Sequence, residues 1–498
     1  MIPLPPLWGG FSWSARCPPR TSRRLGAGGE CRYAQAMSDA QDVRNPGRPK
    51  RDRIPTVSRC LSDGTLIELL YRPEEAKTAF AVWRAGAWTI EPEFATGTGE
   101  RLVPYSPHNN VIRNEVVLLP SEPAEYGSKP ELLFDIRQFL HRYLDVSPEF
   151  EAIAAHYALL TWVYDAFNEV PYIRFQGDFG TCKTRALLVL GSVCCRPFFA
   201  SGASTVSPIF HILDAFRGTL ILDEADFRFS DEKSEIVKIL NNGNVSGIPV
   251  LRTMQNQQRE FDPRAFQVFG PKVIAMRGTY NDRALESRFL TEVMGTAPLR
   301  TDIPINLTGT MREEALALRN KLLLYRFRNR NTLRLRPDAA IGEVAPRINQ
   351  ILTPLLTVVD DPTSRDALVR FARETHNGIV AERGLTTEAQ LLEIVRELAD
   401  SGTANAIPIG DIAARFVERF ASEYERPITP RWIGTILRRR LHLSPYKSHG
   451  RYILSIDATG LAALYDRYGI FGENGNTPNA SDPNADQGGH GDMGTKTG

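Results

Sequence analysis

No run in this chain approaches the roughly 20 consecutive apolar residues of a membrane-spanning helix, so no membrane partner is expected. None of its six cysteines (Cys17, Cys31, Cys60, Cys182, Cys194, Cys195) stands in a C-x-x-C pair. That argues against a zinc framework or a disulfide scaffold and for a reduced, cytoplasmic protein. Charge of one sign is lacking as well: 60 Lys and Arg against 58 Asp and Glu leave a net +2. This balance excludes little, because it averages over unequal segments. No nuclease or primase motif is present. What remains is ordinary for a soluble protein: 498 residues, 42% hydrophobic and 24% charged, enough for about two to four domains with a sizeable core.

The informative stretch is residues 171–184, PYIRFQGDFGTCKT. An apolar run with Tyr172, Ile173 and Phe175 feeds a loop made of Gly177, Asp178, Phe179, Gly180, Thr181, Cys182, Lys183 and Thr184, and a helical pattern follows at once. A buried strand, a loop with inward backbone N–H groups and a helix N-terminus together make a phosphate cradle. In G-x-x-x-x-G-K-[ST] the Lys reaches the β- and γ-phosphates of ATP and the hydroxyl ligates Mg²⁺. Here Cys182 replaces the second Gly. Gly admits backbone to phosphate without a Cβ in the way; a side chain as small as Cys fits if its φ is negative.

About 40 residues on comes TLILDEAD (219–226), an apolar strand ending in Asp223 and Glu224. An acid at such a strand end holds Mg²⁺, and a following Glu polarises the attacking water. Either motif alone is open to a bland reading, as a chance loop or a solvated acidic turn. Their spacing favours a nucleotide site.

Residues 1–55, rich in Pro, Gly and Arg, read as a disordered basic leader. Met37 is the expected true start, and 45–53 a basic arm or a solvated tail. Residues 56–128 carry β-like runs at 65–71, 79–83, 87–90 and 114–119, so a small β-rich domain is expected. It would serve DNA docking, contact with neighbouring subunits, or structural support. Helices are expected at 131–144, 148–167, 203–216 and 230–240, and strands at 198–201, 219–224 and 272–276. That alternation implies a mostly parallel sheet. Two β-like pieces, 248–253 and 266–269, read as an inserted hairpin or long loop, and the stretch 277–290 as a short helix carrying Arg283 and Arg288. Further helices are expected at 311–328, 343–358, 366–375 and 387–399. Residues 321–336 (KLLLYRFRNRNTLRLR) hold six basic residues and no acid; they follow nucleic-acid phosphates or form a basic helix face near nucleotide.

Residues 407–470 read as helix (409–420), helix (430–441, Pro first) and a hairpin around 447–450. Between 428 and 452 lie six Lys/Arg and no carboxylate. The pattern resembles a winged helix–turn–helix, with Arg431, Arg438, Arg439, Lys447 and Arg451 as the expected DNA contacts; a protein-docking winged helix is the other reading. Residues 472–498 read as a disordered tail.

With these residues in place, the chain resembles the AAA+ ATPases over roughly 130–345. Within them it looks most like the helicase-like ATPases of plasmids, phages and integrated elements, and the MCM-type replicative helicases, which carry Ala where Cys182 stands. The resemblance implies an α/β P-loop core (129–300), a helical lid and connector (301–400), a winged-helix DNA-binding domain (401–471) and a hexameric homo-oligomer ring. ALESRF (284–289) resembles the motif whose Arg acts in trans, which points to Arg288, with Arg283 in reserve. Lys183, Glu224 and Arg288 would then be the catalytic set, and Thr184 with Asp223 the metal ligands. The polar sensor usual at the end of the fourth strand is replaced here by Ala275-Met276 before Arg277; either Arg277 takes the role or γ-phosphate sensing is rebuilt. Arg347 is a candidate lid arginine; Arg252 and Arg259 would sit on a pore-facing hairpin or a solvated loop. The expected activity is ATP hydrolysis driving DNA translocation or unwinding for a mobile element. The alternatives are a loader or regulator, a scaffold whose hydrolysis Cys182 impairs, and a motor shut by Cys182 oxidation.

Overall fold

The chain divides into two units, Met1–Asp52 and Arg53–Gly498. The computed structural model describes residues 53–470 except 224, 226–229, 256–260, 281, 297–298, 337–338, 402–405, 422–423, 425–426 and 456. The expected leader, 1–55, lies outside the described residues up to 52, but its last three residues are in a strand and not disordered; the expected tail, 472–498, lies outside them.

The first strands are β1 (Arg53–Thr56), β2 (Ser58–Cys60), β3 (Leu66–Arg72), β4 (Lys77–Arg84), β5 (Ala87–Glu91), β6 (Phe94–Ala95) and β7 (Arg101–Pro104), followed by α1 (Asn110–Arg113). Strands β2-β3-β4-β5 form an antiparallel sheet, and β1-β7-β6 a second, small one. Both faces of β3 are buried. Leu66 and Leu70 join one apolar core while Ile67 and Leu69 join another, the two-residue alternation of a strand. The strand expected at 114–119 is absent: Asn114 caps α1, and Val117 makes a single bridge to Phe198. Its apolar residues Val117 and Leu119 serve packing instead.

Two helices follow. In α2 (Lys129–Tyr143), Ser128 and Glu131 form a capping box. In α3 (Pro148–Val163), every residue from Phe150 on is buried, as befits a helix that is apolar all round. The central sheet then forms from β8 (Tyr172–Gln176), β9 (Phe198–Ser201), β10 (Leu220–Asp223), β13 (Lys272–Met276) and β14 (Phe289–Val293), in the order β14-β8-β13-β10-β9. All neighbours pair in parallel. All five residues of β13 are buried, which is why these strands read as continuous apolar runs. Between them stand α4 (Lys183–Val193), α5 (Val206–Phe216) and α6 (Ser230–Asn242), then the hairpin β11 (Val250–Gln255) with β12 (Phe261–Phe266), and α7 (Arg283–Glu286). The architecture is mixed α/β, a parallel sheet flanked by helices.

Two expectations shift here. The second hairpin strand is Phe261–Phe266, not 266–269. The helix expected to reach 290 stops at Glu286, and Phe289 opens edge strand β14. Leu285 and Phe289 lie four apart, a helical spacing that hid the strand.

Helices α8 (Gly309–Asn329), α9 (Pro346–Val358) and α10 (Pro362–Gly384) cover one face of the sheet, sharing its core with α2, α3 and α4. The C-terminal residues keep a core of their own: α11 (Thr387–Ser401), β15 (Ala406–Pro408), α12 (Ile409–Phe420), α13 (Pro430–Arg439), β16 (Tyr446–Ser448), β17 (Arg451–Ser455) and α14 (Ala458–Tyr468). The sheet order is β15-β17-β16, antiparallel throughout. His449 and Gly450 turn the hairpin with φ of 48° and 80°, the positive pair that a tight two-residue hairpin turn needs. Among the described residues no helix is long and apolar enough to cross a membrane.

Candidate active site and nucleic-acid face

Strand β8 delivers the chain to Gly177 at the C-terminal edge of the sheet. A Cβ there would stand 2.7 Å from Thr181 Oγ1 and 2.8 Å from Met294 O, so only Gly fits. Gly180 takes φ +73°, and the loop closes on itself where Thr181 Oγ1 donates to Asp178 O at 2.8 Å. Cys182 immediately precedes α4 with φ 60° and ψ 20°. The expectation that a small side chain is accommodated at negative φ is therefore corrected: Cys182 occupies the left-handed region. A Cβ costs roughly 1–2 kcal/mol there, which is what Gly at this position would avoid.

Lys183 opens α4 with its ammonium over the loop, donating to Asp178 O at 2.6 Å and to Thr181 Oγ1 at 3.4 Å. Thr184 Oγ1 donates to Asp223 Oδ2 at 2.7 Å. Strand β13 separates β8 from β10, and the hydroxyl and carboxylate meet across its end. A hard-oxygen pair beside a Lys and a helix N-terminus fits a magnesium–triphosphate ligand. Asp178, Phe179 and Gly180 are exposed at the loop tip. Glu224 lies outside the described residues.

Arg277, the candidate sensor, and two residues that sequence reasoning missed, Gly295 and Arg185, adjoin the loop. The Arg277 guanidinium lies 3.5 Å from the centre of the Phe179 ring, which brings the residue after β13 over the loop tip. Gly295, at φ +80°, leaves room for Thr181, whose Cγ2 would lie 2.5 Å from a Cβ there; its glycine was the available signal. Arg185 reaches the carbonyls of Tyr143 and Ile305, tying α4 to segments far away in sequence.

The other expected arginines are placed elsewhere. Arg288 is only 8% exposed and donates to Asn241 Oδ1; burial lowers its pKa. Arg283 is exposed on α7. Arg347 donates to Ser287 Oγ (3.0 Å) and Ala284 O (3.2 Å), bracing α7 and not the loop. Arg252 lies over the Phe210 ring at 4.5 Å and pairs with Glu235 at 3.3 Å; Arg259 lies outside the described residues. The 321–336 stretch is spoken for internally. Lys321 pairs with Asp135, Arg326 with Glu68 and Asp165, Arg328 with Glu125, Arg330 with Asp165 and Arg336 with Asp360.

Arg431, Arg438, Arg439, Lys447 and Arg451 are all exposed, and none makes an ion pair among the described residues. Thr429 Oγ1 caps α13 by accepting from Trp432 N at 3.2 Å. Arg431, Arg438 and Arg451 line one cleft of about 700 Å³ with Asp411, Gly434 and Tyr452; Arg439 and Lys447 lie outside it.

Loop, strand end and sheet together set a Lys, a hydroxyl and a carboxylate at the C-terminal edge of a parallel α/β sheet. No family model matches the sequence, and no curated protein matches it. Among solved structures the chain is similar to the apo NrS-1 C-terminal region, at 12% identity over 78% of this chain and 95% of that one, with a TM-score of 0.35. It is also similar to a full-length MCM homolog from Methanopyrus kandleri, at 12% identity over 60% and 69% of the two chains and a TM-score of 0.34. A third is the Aeropyrum pernix ORC1 protein in complex with DNA, at 15% identity over 65% and 93%, TM-score 0.21.

Proposed function

We propose that this chain is an ATP-dependent DNA motor: an AAA+-type ATPase core with a helical lid (301–400), a small β-rich domain (56–128) ahead of it and a winged-helix DNA-binding domain (401–471) behind. It works in the cytoplasm as a ring, most simply a hexamer, as a replicative helicase or translocase of a mobile element. The observation that carries the nucleotide reading is the 2.7 Å contact between Thr184 and Asp223. These residues stand 39 apart in sequence and are of the two kinds a magnesium–triphosphate site requires.

Lys183 and the loop amides would hold the β- and γ-phosphates, exchanging the Asp178 carbonyl for phosphate oxygen. Thr184 and Asp223 would hold Mg²⁺, which neutralises charge gathering on the leaving phosphate. Glu224 would orient the attacking water. A neighbour's arginine would meet the charge spreading onto the γ-phosphate, its planar fork suited to bidentate contact. Arg288 is assigned that role. Within its own chain it is turned onto Asn241, so assembly must draw it outward, and exposed Arg283 is the alternative; single Ala variants assayed in mixed rings separate the two.

The test is ATP turnover with and without single-stranded DNA. Lys183→Ala and Glu224→Gln should each abolish DNA-stimulated turnover; turnover that survives both would refute the site. Strand displacement separates a helicase from a loader or regulator. The left-handed Cys182 favours one second reading, a scaffold with impaired hydrolysis. Cys182→Gly would then raise turnover sharply, whereas in an efficient motor it would change stability by about 1 kcal/mol and turnover little.

A further inference from the structure

The C-terminal cleft has the volume of a small-ligand site. We infer that it holds a single unstacked nucleotide of an unpaired strand, with the base against Tyr452 and its phosphates on Arg431, Arg438 and Arg451. This rests on the DNA-binding reading of the domain and gives it a substrate class.

Four observations carry it. First, the cleft encloses about 700 Å³, within the ~300–1,000 Å³ typical of small-ligand sites. Second, a helix reading a duplex presents a ridge of side chains to the major groove, but the α13 ridge is interrupted. Gly434 sits in mid-helix, where Gly is costly relative to Ala, and the Arg438 guanidinium lies 3.7 Å from where a Cβ would stand. Gly434 is buried, and the Arg438 cation lies along the helix there in place of a ridge of side chains. Third, β17 supplies the opposite wall: Arg451 is exposed, and so is Tyr452, a large aromatic left 54% exposed. An exposed aromatic beside unpaired cations is the pattern that stacks bases of single strands while tracking their phosphates. Fourth, Asp411 lines the same cleft and has no ion-pair partner among the described residues. A groove built for phosphate alone would exclude a carboxylate; a groove with a base at that end uses one to accept from an exocyclic amine.

The experiment uses the full chain, fluorescence anisotropy with labelled oligo-dC, a blunt duplex and a forked duplex, and 2-aminopurine placed in the single strand as a stacking probe. Tyr452→Ala should weaken single-strand and fork binding roughly ten-fold, leave the blunt duplex unchanged and abolish 2-aminopurine quenching. Tyr452→Phe should restore all three. Gly434→Ala, which meets Arg438 only at ordinary contact distance, should keep or raise the melting temperature while lowering single-strand affinity several-fold. Equal losses on duplex and single strand in Tyr452→Ala, or no loss on either, would overturn the inference. So would displacement of the oligonucleotide from the cleft by free dCMP at micromolar concentration, which would mark a mononucleotide site. No binding of any DNA by the unaltered chain would instead sink the DNA-binding reading itself.

Discussion

Two stretches of this chain each hold six basic residues and no acid, and they are put to opposite uses. In 321–336, five of the six side chains find carboxylates from elsewhere in the fold, and the sixth, Arg334, turns to the carbonyls of Asn331 and Leu333. In 428–452, among the described residues, only Arg440 is so engaged, with Glu388 at 2.9 Å. Local sequence cannot separate the two cases, because the neutralising acids come from positions 68, 125, 135, 165 and 360. A basic run is an interaction surface only if the fold leaves it unpaired.

The sharpest way to break this comparison is at its most buried point. Glu68 is 3% exposed and holds Arg196 and Arg326, themselves 3% and 1% exposed. Glu68→Ala leaves buried Arg196 with a carbonyl in place of a carboxylate, while Arg326 keeps Asp165; it should cost about 3–5 kcal/mol, read from the urea midpoint of unfolding. DNA affinity of the molecules that remain folded should not change. The outward stretch should behave in reverse. Arg431→Ala with Arg438→Ala should leave the midpoint within about 0.5 kcal/mol. DNA affinity should fall, and the slope of log affinity against log salt should shrink by about 2, one for each phosphate left without its arginine. A double variant that unfolds instead would place those arginines among the structural ones.

How much was legible follows from where the determining residues lie. The meeting of the 177–184 loop with the acidic strand end was readable because each packs its polar groups into eight consecutive residues, and the structure brings Thr184 to Asp223. Helix α12 matched its expected bounds because its apolar face repeats at helical spacing. Strand β14 was hidden by the helix-like interval of Leu285 and Phe289. Helix α14 and the β1–β7 pairing went unread; the latter joins residues 48 apart in register, Arg53 with Arg101. The left-handed backbone of Cys182 was likewise invisible, since a Cys in sequence carries no mark of its φ.

Acid should divide the two stretches next. Burial by itself would raise the Asp165 carboxyl, but Arg326 and Arg330 beside it hold it well below the usual carboxylate range; the hydrogen bond from Arg328 holds Glu125 at about 2. A carboxyl depressed in the fold contributes its full stability above its unfolded pKa of about 4 and loses it as pH falls toward the folded value. The urea midpoint should therefore drop between about pH 5 and pH 3, and Asp165→Asn should flatten that slope. Arginine does not titrate in this range. The affinity gap between the native chain and the Arg431/Arg438 double variant should accordingly stay constant from about pH 8 to pH 5; a gap that closes with acid would mean other groups carry the binding.

The smallest effect is expected at the rim of the inward stretch. Arg336 and Asp360 pair at 2.9 Å with side chains 44% and 54% exposed, so water already solvates both partners. Asp360 also keeps Lys129. Arg336→Ala should cost no more than about 1 kcal/mol, and less in 1 M salt, where charges are screened beyond about 3 Å. If this exposed pair proved as costly as Glu68, burial would not be what separates structural arginines from surface ones here. The freedom of Arg431 and Arg438 from ion pairs among the described residues would then need another explanation than their exposure.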